Sequence, residues 1–204
     1  MEYEQIVNAL AKYMPVEAAP LGAKWIQDYK VHFTIKPKRK TINGDYRPPY
    51  MGKGHRISVN GSLNPYSFLV TFVHEFAHLA VWEKYQNKVQ PHGKEWKMAF
   101  AHLMQPFLNV GIFPDDIRQA LVAYLKNPLA SSCADPALYK TLKRYDKDQD
   151  QVVLLEDLPD GSYFSLEDGR IFKKNHLLRK HFKCTEKETE RTFRISGLIQ
   201  VKPL

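Results

Sequence analysis

His74 and His78 stand four residues apart in a run, from Asn64 to about Gln86, whose patterning and punctuation specify a helix. Asn64 can cap the free backbone N–H groups of the first turn, and Pro65 takes the first helical position, where its missing N–H costs nothing. At 3.6 residues per turn, side chains four apart leave one face, separated by only ~40° about the axis. Phe68, Leu69, Phe72, Phe76 and Leu79 supply an apolar surface that such a helix must bury. The two imidazoles are thereby held in a fixed relation, and the rest of the fold has to be built around this segment.

Glu75 lies next to the histidine face, and His-Glu-x-x-His on a helix suits metal-assisted hydrolysis. Two imidazoles reach one cation. Zinc lowers the pKa of its bound water towards about 7 and polarises the scissile carbonyl, while the carboxylate takes the proton and later passes it to the leaving amine. The reading is therefore Zn2+ on His74 and His78 with Glu75 as general base, acting on a peptide bond. A catalytic zinc needs a third protein ligand and one open position. His92 is the first choice, because it begins His92-Gly93-Lys94-Glu95-Trp96, where the chain returns into a second helix and Gly93 lets the backbone come close. Glu95 is the second candidate and His102, deeper in that helix, the third. Tyr46, Tyr66 and His55 are candidate stabilisers of the transition-state oxyanion on residue type alone.

Around this helix the pattern divides in two. Ile6, Val7, Leu10 and Tyr13 recur at helical spacing and stop before Pro15. A β-rich region follows, with alternation at Val31 to Ile35, an Asn43-Gly44 turn dipeptide, and alternation at Arg56 to Asn60, expected to form an edge strand for an extended substrate. Trp96, Phe100, Leu103 and Met104 mark a helix ending near Pro106, and Pro114-Asp115-Asp116 opens another with Ile117, Leu121 and Tyr124 inward. The Pro-, Ser- and Ala-rich stretch over 127–136 carries the domain boundary. Beyond it lie short alternating segments, Val152 to Leu155, Ser162 to Leu166, Arg170 to Lys173, Leu177 to Cys184 and Thr192 to Ser196, separated by Asp160-Gly161, Asp168-Gly169 and Ser196-Gly197. The expectation is an α+β chain: helices plus a small β-sheet over 1–130, then a small antiparallel β module over 135–204.

Charge points to a partner class. The net charge is +8, and residues 24–56 hold nine Lys/Arg, Lys38, Arg39 and Lys40 among them, against two acids. Arg170, Lys173, Lys174, Arg179, Lys180 and Lys183 form a second basic run, with Phe172 and Phe182 at alternate strand positions read as core. DNA or RNA is the partner such patches suit, beside a protein or peptide substrate. Asp146 to Asp150 imitates an EF-hand start, yet Gln151 replaces the sharp-turn glycine, so it reads as a solvated loop. Cys133 and Cys184 form no C-x-x-C pair and read as small apolar residues. With no secretory signal and no stretch near the ~18 to 20 apolar residues of a membrane span, a soluble cytoplasmic protein is expected.

The run His74-Glu75-Phe76-Ala77-His78, then His92-Gly93-Lys94-Glu95-Trp96, resembles the SprT-like zinc metallopeptidases, relatives of the DNA–protein crosslink protease Spartan. The similarity takes in Phe33 through Arg47, read as a basic β-hairpin, and covers about residues 1–127. It implies a compact zincin-like domain with a shallow cleft, zinc on His74, His78 and His92, Glu75 as general acid/base and, for some members, proteolysis tied to DNA. The tail departs from the pattern: many similar bacterial proteins end in a four-cysteine zinc ribbon, for which Cys184 has no partner set. A zinc endopeptidase acting on nucleic-acid-associated proteins is the expectation. The alternative is a non-proteolytic nucleic-acid-associated binding protein whose metal is structural or vestigial.

Overall fold

A computed structural model describes residues 2–39, 42–109, 111–131, 135–146, 153–179 and 181–204. Lys40, Lys180, Cys133, Gln151, Val152 and the Asp146 to Asp150 run beyond Asp146 lie outside the described residues. The architecture is mixed α+β and falls into two compact units, Met1–Tyr145 and Asp146–Leu204.

The first unit opens with α1 (Tyr3–Leu10), which buries Ile6 and Leu10. Where the sequence suggested strands directly after Pro15, a second helix, α2 (Ala19–Asp28), intervenes. Pro20 sits in its first turn, where proline is tolerated, and Gly22 sits where an added Cβ would come 3.2 Å from Leu10 and 3.3 Å from Phe72. Two residues that usually break helices are used here for entry and close packing.

Three strands follow, β1 (His32–Lys36), β2 (Gly44–Arg47) and β3 (Arg56–Asn60), in the spatial order β1-β3-β2. β1 runs parallel to β3 and β2 antiparallel to it. This corrects two expectations. β1 and β2 are not a hairpin, since β3 lies between them; and β3 is the central strand, so Arg56 to Asn60 offers no edge to a substrate. The edge that lies beside the helix carrying His74 and His78 is β2.

That helix is α3 (Pro65–Tyr85). Asn64 Oδ1 accepts from the backbone N–H of Tyr66 (3.1 Å) and Ser67 (2.9 Å), as its position before Pro65 foretold. Buried residues occur on nearly every side of α3, so it runs through the centre of the unit. α4 (Lys94–Asn109) continues past Pro106, anchored beyond it by buried Phe107. α5 (Asp115–Leu125) buries Ile117, Leu121 and Tyr124. α6 (Pro136–Lys143), counted with the tail on sequence grounds, adds Leu138 and Leu142 to the first core. Asn64 Nδ2 donates to the Leu142 carbonyl at 2.9 Å. The division of the chain therefore falls after Tyr145 rather than within 127–136.

The second unit is an antiparallel sheet of β4 (Val153–Leu154), β5 (Tyr163–Ser165), β6 (Ile171–Leu178), β7 (His181–Glu186), β8 (Thr192–Ser196) and β9 (Gln200–Pro203), ordered β4-β9-β5-β6-β7-β8. The run Leu177 to Cys184 crosses the β6–β7 turn, where Arg179 has φ 54°. Leu155, Phe164, Phe172, Phe182, Cys184 and Val201 form its core.

Candidate metal centre

The i, i+4 spacing on α3 brings His74 and His78 together, and the turn before α4 adds His92. Their Nε2 atoms lie 3.2 Å (His74–His78), 3.0 Å (His78–His92) and 3.3 Å (His74–His92) apart. Three neutral imidazoles meeting Nε2 to Nε2 cannot place a proton in all three contacts, whereas a single cation satisfies every nitrogen. Ligand nitrogens ~2.0 to 2.1 Å from a tetrahedral ion are about 3.3 Å from one another, close to the spacings seen. The three histidines can hold a metal ion, and they are the only such group among the described residues.

His92 reaches this position at a conformational cost. Its φ is 58°, in the left-handed region where a Cβ is unfavourable, and Gly93 N–H closes the turn on the Gln90 carbonyl at 3.0 Å. Gly93 was expected to grant the close approach, but the strained residue is His92 itself. Glu95, in the first turn of α4, is not part of the histidine group, and His102 is exposed further along the helix. Beneath the three rings lies the fully buried indole of Trp96, with centroids 4.6 Å from His74, 5.5 Å from His78 and 4.8 Å from His92.

Burial lowers the basicity of these rings. His74 is brought down to about 3 by desolvation and then by the neighbouring His78 and His92, and His78 to about 4 by desolvation and then by His92. His92 is lowered by desolvation. All three are thus neutral and ready to ligate without first shedding protons.

Glu75 is buried on the side of α3 that faces β2. A Cβ on Gly44 would fall 2.4 Å from Glu75 Oε1, 2.7 Å from Thr71 Cγ2 and 2.9 Å from Glu75 Cδ. Only glycine lets the edge strand lie this close to the carboxyl group. Burial and then the charge of Asp45 push Glu75 up to about 8 in the absence of a cation. Two residues along the same face of β2, the Tyr46 ring lies parallel to His78 within 4°, centroids 6.4 Å apart. Tyr46 Oη is 3.0 Å from His55 Nδ1, and burial, then the charge of Glu83, raises its pKa above the ordinary phenol value.

Of the candidate oxyanion stabilisers, Tyr46 and His55 come to this side of the histidines, whereas Tyr66 packs against Phe113 and Tyr145. Sequence reasoning missed the roles of Gly44, Asp45, Glu83 and the Trp96 floor; Gly44 had been marked only as part of a turn dipeptide and Trp96 only as part of the apolar face of its helix.

The basic residues fare unevenly. Lys38 is exposed, and Arg39 folds back with its guanidinium donating to Ser58 Oγ at 3.2 Å. Lys173 and Arg179 are exposed. Lys174 is 2% exposed; its ammonium donates to the Leu158 carbonyl at 2.5 Å and the Glu156 carbonyl at 3.3 Å and lies 3.8 Å from the Phe182 ring centroid. It is an interior residue and is withdrawn from the phosphate-binding set. Arg170 is engaged by Asp168 and Glu186. Phe172 and Phe182 are core, and burial pushes the Cys184 thiol up to about 11, which makes it inert. No helix among the described residues is long and apolar enough to cross a membrane.

Residues 22–115 match the model of the SprT-like family. Comparison with curated proteins finds no match, and comparison with solved structures finds none.

Proposed function

From that match and the convergence of three imidazole nitrogens beside a buried carboxyl group, we propose that the protein is a zinc-dependent endopeptidase with a zincin-like catalytic domain. Three imidazoles with one remaining coordination position are a donor set typical of catalytic zinc. His74, His78 and His92 would hold the ion, whose chemistry is to acidify water and polarise a carbonyl. Glu75 takes the proton from the attacking water and delivers it to the leaving amine. Burial suits this carboxyl to the work, since a base tuned towards neutral pH both accepts and releases protons efficiently. An extended substrate lies along the free edge of β2, which runs beside Glu75 and His78.

The single observation that carries the reading is the trio of Nε2 atoms within 3.3 Å of one another with Glu75 buried on the same helix. Glu75→Gln is expected to leave zinc near one per chain by elemental analysis while abolishing cleavage of an unfolded protein. Cleavage persisting at the wild-type rate would remove Glu75 from the mechanism.

A nucleic-acid role is supported by the outer face of the second unit. Strand alternation points Lys173, Lys183, Arg194 and Lys202 away from the core, with exposed Tyr163 among them and no acid at these strand positions. Lys183 and Arg194 are direct cross-strand partners, an arrangement that costs stability, and the Lys173 and Lys187 ammonium groups lie 6.0 and 5.9 Å from the Tyr163 ring centroid. An aromatic among cations fits single-stranded nucleic acid, bases stacking on the ring and phosphates meeting lysines. Binding should weaken steeply with salt, and Lys183→Glu should weaken it further while raising stability by about 0.5 kcal/mol through pairing with Arg194. No binding at low salt would dismiss this partner and leave the peptidase reading intact.

A further inference from the structure

Three polar side chains that the hydrolysis leaves unused meet beside the metal centre. Tyr46 Oη lies 3.0 Å from His55 Nδ1, and His55 Nε2 lies 3.0 Å from Glu83 Oε1. They come from three elements: Tyr46 from β2, His55 from the residue leading into β3, and Glu83 from α3, five positions after His78. His55 is held on every side. Its carbonyl accepts from the backbone N–H of His32 at 2.8 Å, its ring stands edge-on to Trp82 at 5.4 Å, and its side chain is 12% exposed.

Donor and acceptor roles follow from the ends of the chain. A carboxylate only accepts, so His55 Nε2 carries the proton donated to Glu83, and Nδ1 is left to accept from the Tyr46 hydroxyl. The result is a continuous strap from the edge strand to the helix that bears His74 and His78.

The strap acts where a substrate would pair. Asn60 N–H donates to the Asn43 carbonyl at 2.8 Å, which makes Asn43 and Asn60 a hydrogen-bonded pair. Antiparallel alternation then turns the backbone groups of Asp45 and Arg47 towards β3 and those of Gly44 and Tyr46 outward, off the free edge. Gly44 lies against Glu75, and Tyr46 lies against His78. The two residues that can pair with an extended peptide are therefore the two in register with the catalytic carboxylate and a metal ligand.

We propose that Tyr46, held by His55 and Glu83, is a positioning residue that sets the register of an extended peptide on β2, and so decides which peptide bond reaches the metal centre. The proposal rests on the peptidase reading. Cutting the strap frees β2 to shift along α3 without disturbing the three histidines, which are placed by α3 and the 90–93 turn.

The test uses Tyr46→Phe, which keeps the ring and removes the hydroxyl, and Glu83→Ala, a change at a half-exposed surface carboxylate that leaves the fold intact. Glu83→Gln is the conservative control, because its amide oxygen still accepts from His55 Nε2. Zinc content should stay at one per chain in all three. Mass spectrometry of a digested unfolded protein should show cleavage spreading to neighbouring bonds in Tyr46→Phe and Glu83→Ala, with KM raised about tenfold and kcat changed less, and the wild-type pattern restored in Glu83→Gln. A readout independent of turnover comes from the Glu75→Gln background, in which affinity for an uncut peptide substrate should fall about tenfold when Tyr46→Phe is added. Unchanged cleavage sites together with unchanged peptide affinity overturn the strap. A zinc-loaded wild type that cleaves nothing overturns the peptidase reading instead.

Discussion

Replacing Gly44 by alanine tests whether the close approach of β2 to Glu75 is a working dimension of the site. The added Cβ would stand 2.4 Å from Glu75 Oε1, whereas ordinary contact begins near 3.4 Å, so about 1 Å of separation must be found. Thr71 cannot supply it: its Cγ2 is itself only 2.7 Å away, and its hydroxyl is tied to the Ser67 carbonyl at 2.8 Å. Either β2 lifts from α3 or the carboxyl group rotates, and both move Glu75 relative to the histidines. Overpacking of this kind costs about 1 to 3 kcal/mol, or a fall in Tm on the order of 3 to 10 °C for a domain of this size. Displacing a catalytic group by about 1 Å costs roughly a hundredfold in rate. Zinc stoichiometry should stay at one, because the ligands belong to α3 and the 90–93 turn. Differential scanning fluorimetry, elemental analysis and a peptide-cleavage assay report the three quantities separately. In a Glu75→Ala background, where two of the three clashes vanish, Gly44→Ala should destabilise less, and that difference is the coupling between the two residues. Wild-type Tm and wild-type cleavage in Gly44→Ala would refute the reasoning.

Two further expectations concern the metal-free protein and the third ligand. Since Glu75 is raised from 4.5 to about 8, the folded state keeps a proton that the unfolded chain releases between those values, and stability falls as pH rises through the window; metal-free Glu75→Gln should exceed the metal-free wild type by about 3 kcal/mol at pH 7 and match it near pH 4. His74 and His78 act in the opposite sense, because below 6.5 the unfolded chain gains protons that the folded site refuses, so both proteins should lose stability on acidification; parallel denaturation profiles across pH 4 to 8 would contradict the burial of Glu75. His92→Gly relieves the strain at φ 58°, worth about 1 kcal/mol, so the metal-free variant should be at least as stable as wild type while losing zinc to a mild chelator, and full zinc retention would place the third ligand elsewhere.

What could be read from sequence was local. α3 announced itself through Asn64, Pro65 and its apolar residues, and with it came two of the three histidines and the carboxylate, because a helix fixes neighbours at three and four residues. α2 stayed hidden because Pro20 and Gly22 argue against a helix unless one knows that Leu10 and Phe72 press on the glycine. Lys174 was legible in principle: it is two residues from Phe172 on one strand, hence on the same inward face, and strand parity outweighs the habit of placing lysines outside. The Tyr46–His55–Glu83 strap left no trace, since its members belong to elements whose adjacency is set by the whole sheet order.

On the proposed peptidase reading, that sheet order also decides where a substrate would bind. Parallel pairing of β1 with β3 inserts β3 between two strands that follow one another in the chain, and no hydrophobic pattern in five-residue strands encodes such an insertion. With β3 interior, two edges remain, on β1 and on β2. Strands are spaced about 4.8 Å apart, so peptides added to the two edges would lie four spacings, or about 19 Å, from one another, and only one of them can serve a single metal centre. β2 is that edge, because Gly44 and Tyr46 touch the turns of α3 that carry Glu75 and His78. Phe33 of β1 instead packs on Phe72, earlier in the helix, with ring centroids 5.4 Å apart. Two of the three histidines and Glu75 come from one helix, but on the proposed reading the choice of bond depends on which strand the topology leaves at the edge beside it.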